Sequence, residues 1–455
     1  MATYALADGN NAAISDEDGI HAGGTFTIPA AWNGRKVRMQ FQTLTEISGA
    51  TLYQILRNGA SHDGAAAQYA EDVNSTDRIN AVSAPVVAAT GDVFATSGTL
   101  GASPLAWRQV EVMAGGFKGA LVNRIASGFA IGTVATAIEW NNEVDDTSGY
   151  HDTAVNPSRL TVPPGSTGLV RLSVGLKVDA SGGQLYVELR RNGVYVNGLC
   201  FKADVQASAL TAVSPPIVVT AGDYFEVYAS TTAAATLLVD GNSWFAIEEL
   251  PSDLKYAIGR VTANQSIPSG TVYTGGINMG EEVADTGDWF TPGDDFFTVP
   301  AAIPKLRFGF SAQMNQGSGS MYASMGKNGA TGSNIGPGFA QHAATSDGID
   351  HMHGWSGILD VVPGDTFHPI AATNAGATSV ASPSFWWIEE YRAPADFPVL
   401  LTAGGGTLIL TGHPPSITGA NLILGPSLGA MTLTGYTPVV STGNEHASNV
   451  TIFHY

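Results

Sequence analysis

Cysteine is almost absent from this chain: among 455 residues there is one, Cys200. No intrachain disulfide can form, and its neighbours Leu199 and Phe201 mark Cys200 as a small apolar filler rather than a nucleophile. Charge is scarce too. Asp, Glu, Lys and Arg make up 13% of the chain, against about 25% in ordinary soluble domains. What charge there is leans acidic, with 39 acids, 20 bases and a formal net of −19. A nucleic-acid partner is therefore excluded, because phosphate binding needs clustered Lys and Arg. The acidity reads as a solubility feature.

Long apolar runs are missing as well. Nothing approaches the roughly 20 residues of a membrane span. The start, Met1-Ala-Thr-Tyr-Ala-Leu-Ala-Asp8, has no basic segment and meets an acid too early for a secretory signal. The expectation is a chain made in a cytoplasm and carried outward by assembly, not secretion. Catalytic patterns are thin. Gly317-Ser-Gly-Ser320 has the composition of a loop, and Gly404-Gly-Gly406 leads into neither a helix nor a Lys. Glycoside cleavage needs two carboxylates in one cleft, whereas the acids here recur in equivalent turns. No segment carries a persuasive 3.6-residue apolar stripe. These readings predict a protein that is neither helical nor an enzyme and that needs no cofactor.

Glycine (55 residues) and a 44% hydrophobic content remain, a profile of short strands, tight turns and packed cores. The decisive feature is repetition. Phe26-Thr-Ile-Pro29 recurs as Leu160-Thr-Val-Pro163 and Phe297-Thr-Val-Pro300. Each is followed by an alternating strand: Val37-Arg-Met-Gln-Phe41, Val170-Arg-Leu-Ser-Val174 and Leu306-Arg-Phe-Gly-Phe310. Next comes a basic-Asn-Gly turn at Arg57-Asn-Gly59, Arg191-Asn-Gly193 and Lys327-Asn-Gly329. From Phe26 to Arg57, Leu160 to Arg191 and Phe297 to Lys327 the offsets are 31, 31 and 30. A Gly-Asp pair follows in each copy (Gly91-Asp92, Gly222-Asp223, Gly364-Asp365). Each copy closes on an aromatic-to-acid strand: Trp107 to Glu111, Trp244 to Glu248, Phe385 to Glu389.

Asn-Gly between alternating runs supplies the positive φ of a two-residue hairpin turn and so fixes register. Alternation such as Val187-Glu-Leu-Arg190 gives one buried and one wet face. The parts predict an all-β chain of two-sheet sandwiches. Module one spans 1–115, module two 116–251 and module three 252–394. Residues 395–455 differ: Leu408-Ile-Leu-Thr-Gly412 is echoed by Met431-Thr-Leu-Thr-Gly435, with Leu422-Ile-Leu-Gly425 between them. These short apolar strands predict a small β-rich anchor or tip that other subunits complete.

The order of these parts resembles the C1q/TNF-like jelly roll, over roughly residues 1–394. Module two is the fullest match, with Glu143-Val-Asp-Asp-Thr-Ser-Gly-Tyr150 ahead of Leu160-Thr-Val-Pro163. Module one begins so near its acidic lead-in that an edge strand is expected to be missing. The resemblance implies a homotrimer packed through apolar and aromatic faces. Such modules occur in tailed-phage fibres and decoration proteins. The resulting expectation is a virion protein, a bacteriophage tail fibre, spike or head decoration. It would present β modules for host attachment to a surface polysaccharide or protein while contacting other virion proteins. The alternatives are a capsid or tail subunit that binds no receptor and, further off, a polysaccharide-degrading tailspike.

Three groups are candidate sites. His351 and His353 point the same way on a strand, and three copies about an axis would gather six imidazoles for a metal; the other reading is a loop or a satisfied histidine. The acidic lead-ins (Asp16-Glu17-Asp18; Glu143, Asp145 and Asp146; Glu281-Glu282 with Asp285 and Asp288) suit calcium by oxygen content, though not by EF-hand spacing, or else are solvated turn acids. Trp386 and Trp387 are expected to fill a trimer core rather than hold a sugar.

Overall fold

The computed structural model describes residues 4–394 except 9, 11, 17–18, 47–50, 66, 71–75, 99–105, 114–117, 180–183, 206–208, 234, 238–240, 268–269, 316–318, 330–339, 346–348 and 374–377. Beyond 394 it describes 408–410 and 431–433. The described residues are strands and turns, with one short 3₁₀ turn at Ala30–Trp32. Residues Ala2–Arg392 form one compact unit; Met1 and Ala393–Tyr455 form a second. In the second unit Leu408–Leu410 pairs in parallel with Met431–Leu433, and the expected strand at Leu422 lies outside the described residues.

Within the first unit one jelly-roll sandwich occurs three times. Its inner sheet has the same order in each copy. An edge strand (Ala13–Ser15, Asn142–Asp146, Glu281–Asp285) pairs with a first strand (Tyr4–Asp8, Gly119–Asn123, Tyr256–Arg260). The closing strand follows (Trp107–Val112, Trp244–Glu249, Thr378–Glu390), then the arginine strand (Lys36–Glu46, Leu169–Lys177, Lys305–Asn315). An axial strand ends the sheet (Thr76–Val82, Ala209–Val213, Ile349–Trp355). Module one therefore has its edge strand after all: Ala13–Ser15 pairs with Tyr4–Asp8 across a bulge, which lets a very short lead-in still reach the sheet.

The outer sheet centres on the hairpin strand (Thr51–Arg57, Leu185–Arg191, Gly319–Lys327). On one side lies a return strand (Val93–Thr96, Tyr224–Thr231, Thr366–Thr373), on the other a seam strand (Ala67–Ala70, Lys202–Val205, Ala340–Thr345). Alternation decides what each face does. In Val37–Phe41, residues Val37, Met39 and Phe41 enter the sandwich core, while Arg38, Gln40 and Gln42 are just as buried on the opposite face. A sheet buried on both faces needs a second covering layer, and the other two modules supply it.

The Asn-Gly turns form as the sequence predicts in the first two modules. Asn58 and Gly59 have φ of 54° and 79°, Asn192 and Gly193 52° and 79°. The flanking residues exchange both backbone hydrogen bonds, Arg57 with Ala60 and Arg191 with Val194. Module three departs at Gly329, whose φ is 154°. In all three, the turn is locked to the Gly-Asp pair. Asn58, Asn192 and Asn328 donate from Nδ2 to Asp92, Asp223 and Asp365, each at 2.8 Å. The basic residue before each Asn pairs with the same carboxylate. The two motifs recur together because they are halves of one clamp.

Candidate functional site

The three modules close into a ring. Each seam strand packs against the axial strand of the following module: Ala67–Ala70 on Ala209–Val213, Lys202–Val205 on Ile349–Trp355, Ala340–Thr345 on Thr76–Val82. The relation returns to its start after three steps, which defines a pseudo-threefold axis inside a single chain.

Six charges encircle that axis. Arg38, Arg171 and Arg307 occupy one register position, directly across from Glu111, Glu248 and Glu389 on the closing strands. Each arginine also reaches the next module. Arg38 donates to Glu248 at 2.6 Å, Arg171 to Glu389 at 2.5 Å, and Arg307 pairs with Glu111. Within modules, Arg171 lies 2.8 Å from Glu248 and Arg38 3.4 Å from Glu111. All six are 5% exposed or less. Burial alone would raise the Glu248 carboxyl; the charges of Arg38 and Arg171 outweigh it and hold the group below its ordinary range. Burial pushes the Arg307 guanidinium down to about 10, still protonated at neutral pH.

One tryptophan plugs the ring. The guanidinium carbons of Arg38, Arg171 and Arg307 lie 5.2, 5.2 and 4.6 Å from the Trp355 ring centroid, within cation–π range. By register, the positions equivalent to Trp355 are Val82 and Val213, so the bulk comes from module three alone. A second cyclic set of contacts lies two residues back along the axial strands. Asn80 donates to the Trp355 carbonyl at 3.0 Å, Thr211 accepts from the Val82 amide at 3.2 Å, and His353 Nε2 lies 2.6 Å from the Val213 carbonyl.

The same geometry places His351 and His353 at a seam between modules two and three. The partner across their seam is the chain's own module two, and the positions equivalent to His353 hold Asn80 and Thr211, not two more histidines. His353 is buried between Phe201 and Trp387, at 5.3 and 5.9 Å. Burial lowers its pKa to about 4, against the opposing hydrogen bond to Val213, so the ring is neutral near pH 7. His351 lies instead on the wall of an outer cavity with Tyr186, Glu188 and Lys202.

The lead-in acids Glu143, Asp145 and Asp146 each have partners within the chain. Asp146 accepts from the amides of Ser148, Gly149 and His151 at 3.0, 2.8 and 2.9 Å. Asp16 and Asp285 repeat the role, toward Ile20 and His21 and toward Gly287, Trp289 and Phe290. A reversing loop aligns these N–H groups, and one carboxylate satisfies them. Asp145 pairs with Lys36 of module one, and Glu143 lies 3.2 Å from His151 Nδ1. Among the described residues, no group of three His, Cys, Asp or Glu side chains is placed to hold a metal.

Cys200 is fully buried and its thiol is pushed up to about 12 by burial, which makes it inert. Trp386 fills the module-three core, and Trp387 joins the continuous core shared with module two. A Gly-x-Ser-x-Gly string does occur, Gly425-Pro-Ser427-Leu-Gly429, outside the described residues. The sequence reading passed over the ring itself. Its signal was present: one arginine second in each alternating strand and one terminal glutamate, at the same motif positions in every copy.

No protein-family model matches the chain, and no curated protein does. Among solved structures, it is similar to the N-terminal CBM22-1-CBM22-2 tandem domain of Paenibacillus barcinonensis Xyn10C. That alignment has 12% identity over 61% of this chain and 100% of the other, with a TM-score of 0.17. It is also similar to dimeric latent PorU of Porphyromonas gingivalis, at 6% identity over 80% of this chain and 33% of that one, with a TM-score of 0.19. At such scores neither likeness bears on function.

Proposed function

We propose that the chain is a structural and adhesive virion protein, a phage fibre, spike or surface decoration whose head is a jelly-roll trimer completed inside one polypeptide. The observation that carries this is the closed ring of three modules around a buried ring of ion pairs and one tryptophan. The Asn-Gly clamps, acidic lead-ins and axial histidine all serve to hold that scaffold together, as a rigid display element requires. The homotrimer implied by the resemblance is on this reading realised within the chain, since the faces that would meet two other copies are already covered. The C-terminal unit then joins the head to other virion proteins or forms its tip. Adhesion comes from many weak contacts summed over copies on a particle.

Two measurements test the reading. Antibody-gold imaging of intact particles should place the protein on their surface, and sedimentation of the isolated 1–394 head should give the mass of one chain. A head with the mass of three chains would overturn the intramolecular trimer. A protein missing from purified particles would overturn the virion role.

A further inference from the structure

In a pseudo-symmetric ring, a feature the scaffold needs tends to appear three times. Among the described residues, one outer cluster appears once. On the hairpin strand of module two, Leu185, Val187 and Leu189 face the core, while Tyr186, Glu188 and Arg190 face outward and are half-buried. Register sets Ser230 beside Tyr186, and places Tyr228 and Lys202 on either side of Glu188. Module three contributes His351 from across the seam. With Ala135 these side chains, Arg190 apart, wall a cavity of about 210 Å³. The positions matching Glu188 and Tyr228 are Ser324 and Ile370 in module three and Gln54 and Ser97 in module one. The scaffold therefore does not demand them.

The cluster is ordered by its own contacts. Arg190 Nε donates to Glu188 at 2.9 Å, and its guanidinium lies 3.8 Å from the centroid of the Tyr228 ring. Lys202 Nζ is 3.8 Å from the other Glu188 oxygen. Aromatic rings, hydroxyls, a carboxylate and an ammonium thus converge on one small space. That set matches a sugar, whose C–H face packs on an aromatic ring while its hydroxyls each donate and accept. Two facts narrow the class. In the wall Glu188 and Lys202 offset each other, which leaves no net charge to draw an anion, and the chain's net charge of −19 opposes one. The volume is below the ~300–1,000 Å³ of sites for drug-sized molecules, so one ring fits while the rest of a chain stays in solvent.

We propose that this seam cavity binds a neutral hexose unit of a surface glycan, with Tyr186 and Tyr228 as the apolar platform and Glu188 and Lys202 as the hydrogen-bonding pair. The assignment rests on the adhesive reading above and supplies its ligand class. One site of this size should bind with a Kd on the order of 1–10 mM, which multiple copies on a particle would strengthen.

The test uses the full chain, with D-glucose, D-galactose, D-mannose and D-glucuronate as probes, in saturation-transfer NMR and calorimetric titration. At least one neutral hexose should bind saturably. Glu188→Gln and Lys202→Met should each weaken it about tenfold while leaving the melting curve unchanged, and Gln54→Ala in module one should leave binding intact. The assignment is overturned if no neutral hexose binds at on the order of 100 mM, if only glucuronate binds, or if both cavity variants bind like the parent. Particle imaging is independent of this outcome, so a protein present on particles that binds no hexose overturns the site and leaves the virion role standing.

Discussion

Replacing Glu248 by Gln removes one charge from the centre of the molecule while keeping the volume. Glu248 accepts from Arg38 at 2.6 Å and from Arg171 at 2.8 Å, and is 2% exposed. In the variant three buried guanidiniums share two carboxylates, and one amide proton pair is turned toward a cation. Breaking a buried ion pair from one side costs about 3–5 kcal/mol. Because Glu248 joins modules one and two, the loss falls on their seam as well as on module two. Equilibrium urea unfolding, followed by tryptophan fluorescence with the slope held common, should show a drop of that size. The double variant Arg171→Met with Glu248→Leu leaves two arginines facing two glutamates, so it should lose less than Glu248→Gln alone. A Glu248→Gln protein within about 0.5 kcal/mol of the parent would refute the reasoning, since only exposed pairs are worth so little.

Three further outcomes are expected. Gly193→Val forces a β-branched residue to a φ of 79° and should cost about 1–3 kcal/mol, read as a lower Tm; an unchanged Tm would remove the hairpin assignment. His353, held near 4 when folded against 6.5 when unfolded, takes up its proton more readily in the unfolded chain. Its contribution is full above pH 6.5 and is lost as pH falls toward 4, by about 3 kcal/mol at most. Parent minus His353→Gln stability should show that slope, and a flat difference would contradict a buried neutral ring. Ending the chain after residue 394 should leave a folded head that no longer attaches to its particle, and undiminished attachment would show that the C-terminal unit is neither anchor nor tip.

Much of the fold was legible because each module repeats its local chemistry. Asn58-Gly59 and Asn192-Gly193 dictate their turns through backbone sterics alone, and the strands of Val37–Phe41 and its copies alternate visibly. The resemblance to jelly-roll modules implied three chains packed about an axis, but local pattern cannot say whether the neighbours of a module belong to the same chain. That one gap decides what the strand face of the two histidines meets. His351 and His353 do share a strand face, yet the face opens onto module two, where His353 meets Val213. The lead-in acids looked like ion ligands because carboxylates that gather backbone amides and carboxylates that gather a cation share one composition. What separates them is where the loop turns its N–H groups, which depends on coordinates. The cavity at Tyr186 was out of reach for a similar reason: its wall joins residues from 135 to 351.

Trp355 shows what is gained by fusing three modules into one gene product. A point on a true threefold axis must be shared equally, so three identical chains cannot each place an indole there without collision. Joined end to end, the copies are free to differ, and module three can occupy the centre while Val82 and Val213 stand back. The same freedom extends to every interface. A substitution in an assembly of identical chains is tried in triplicate, and its costs arrive together. Here each seam is tried singly, so one can be kept for cohesion while another drifts toward a new partner.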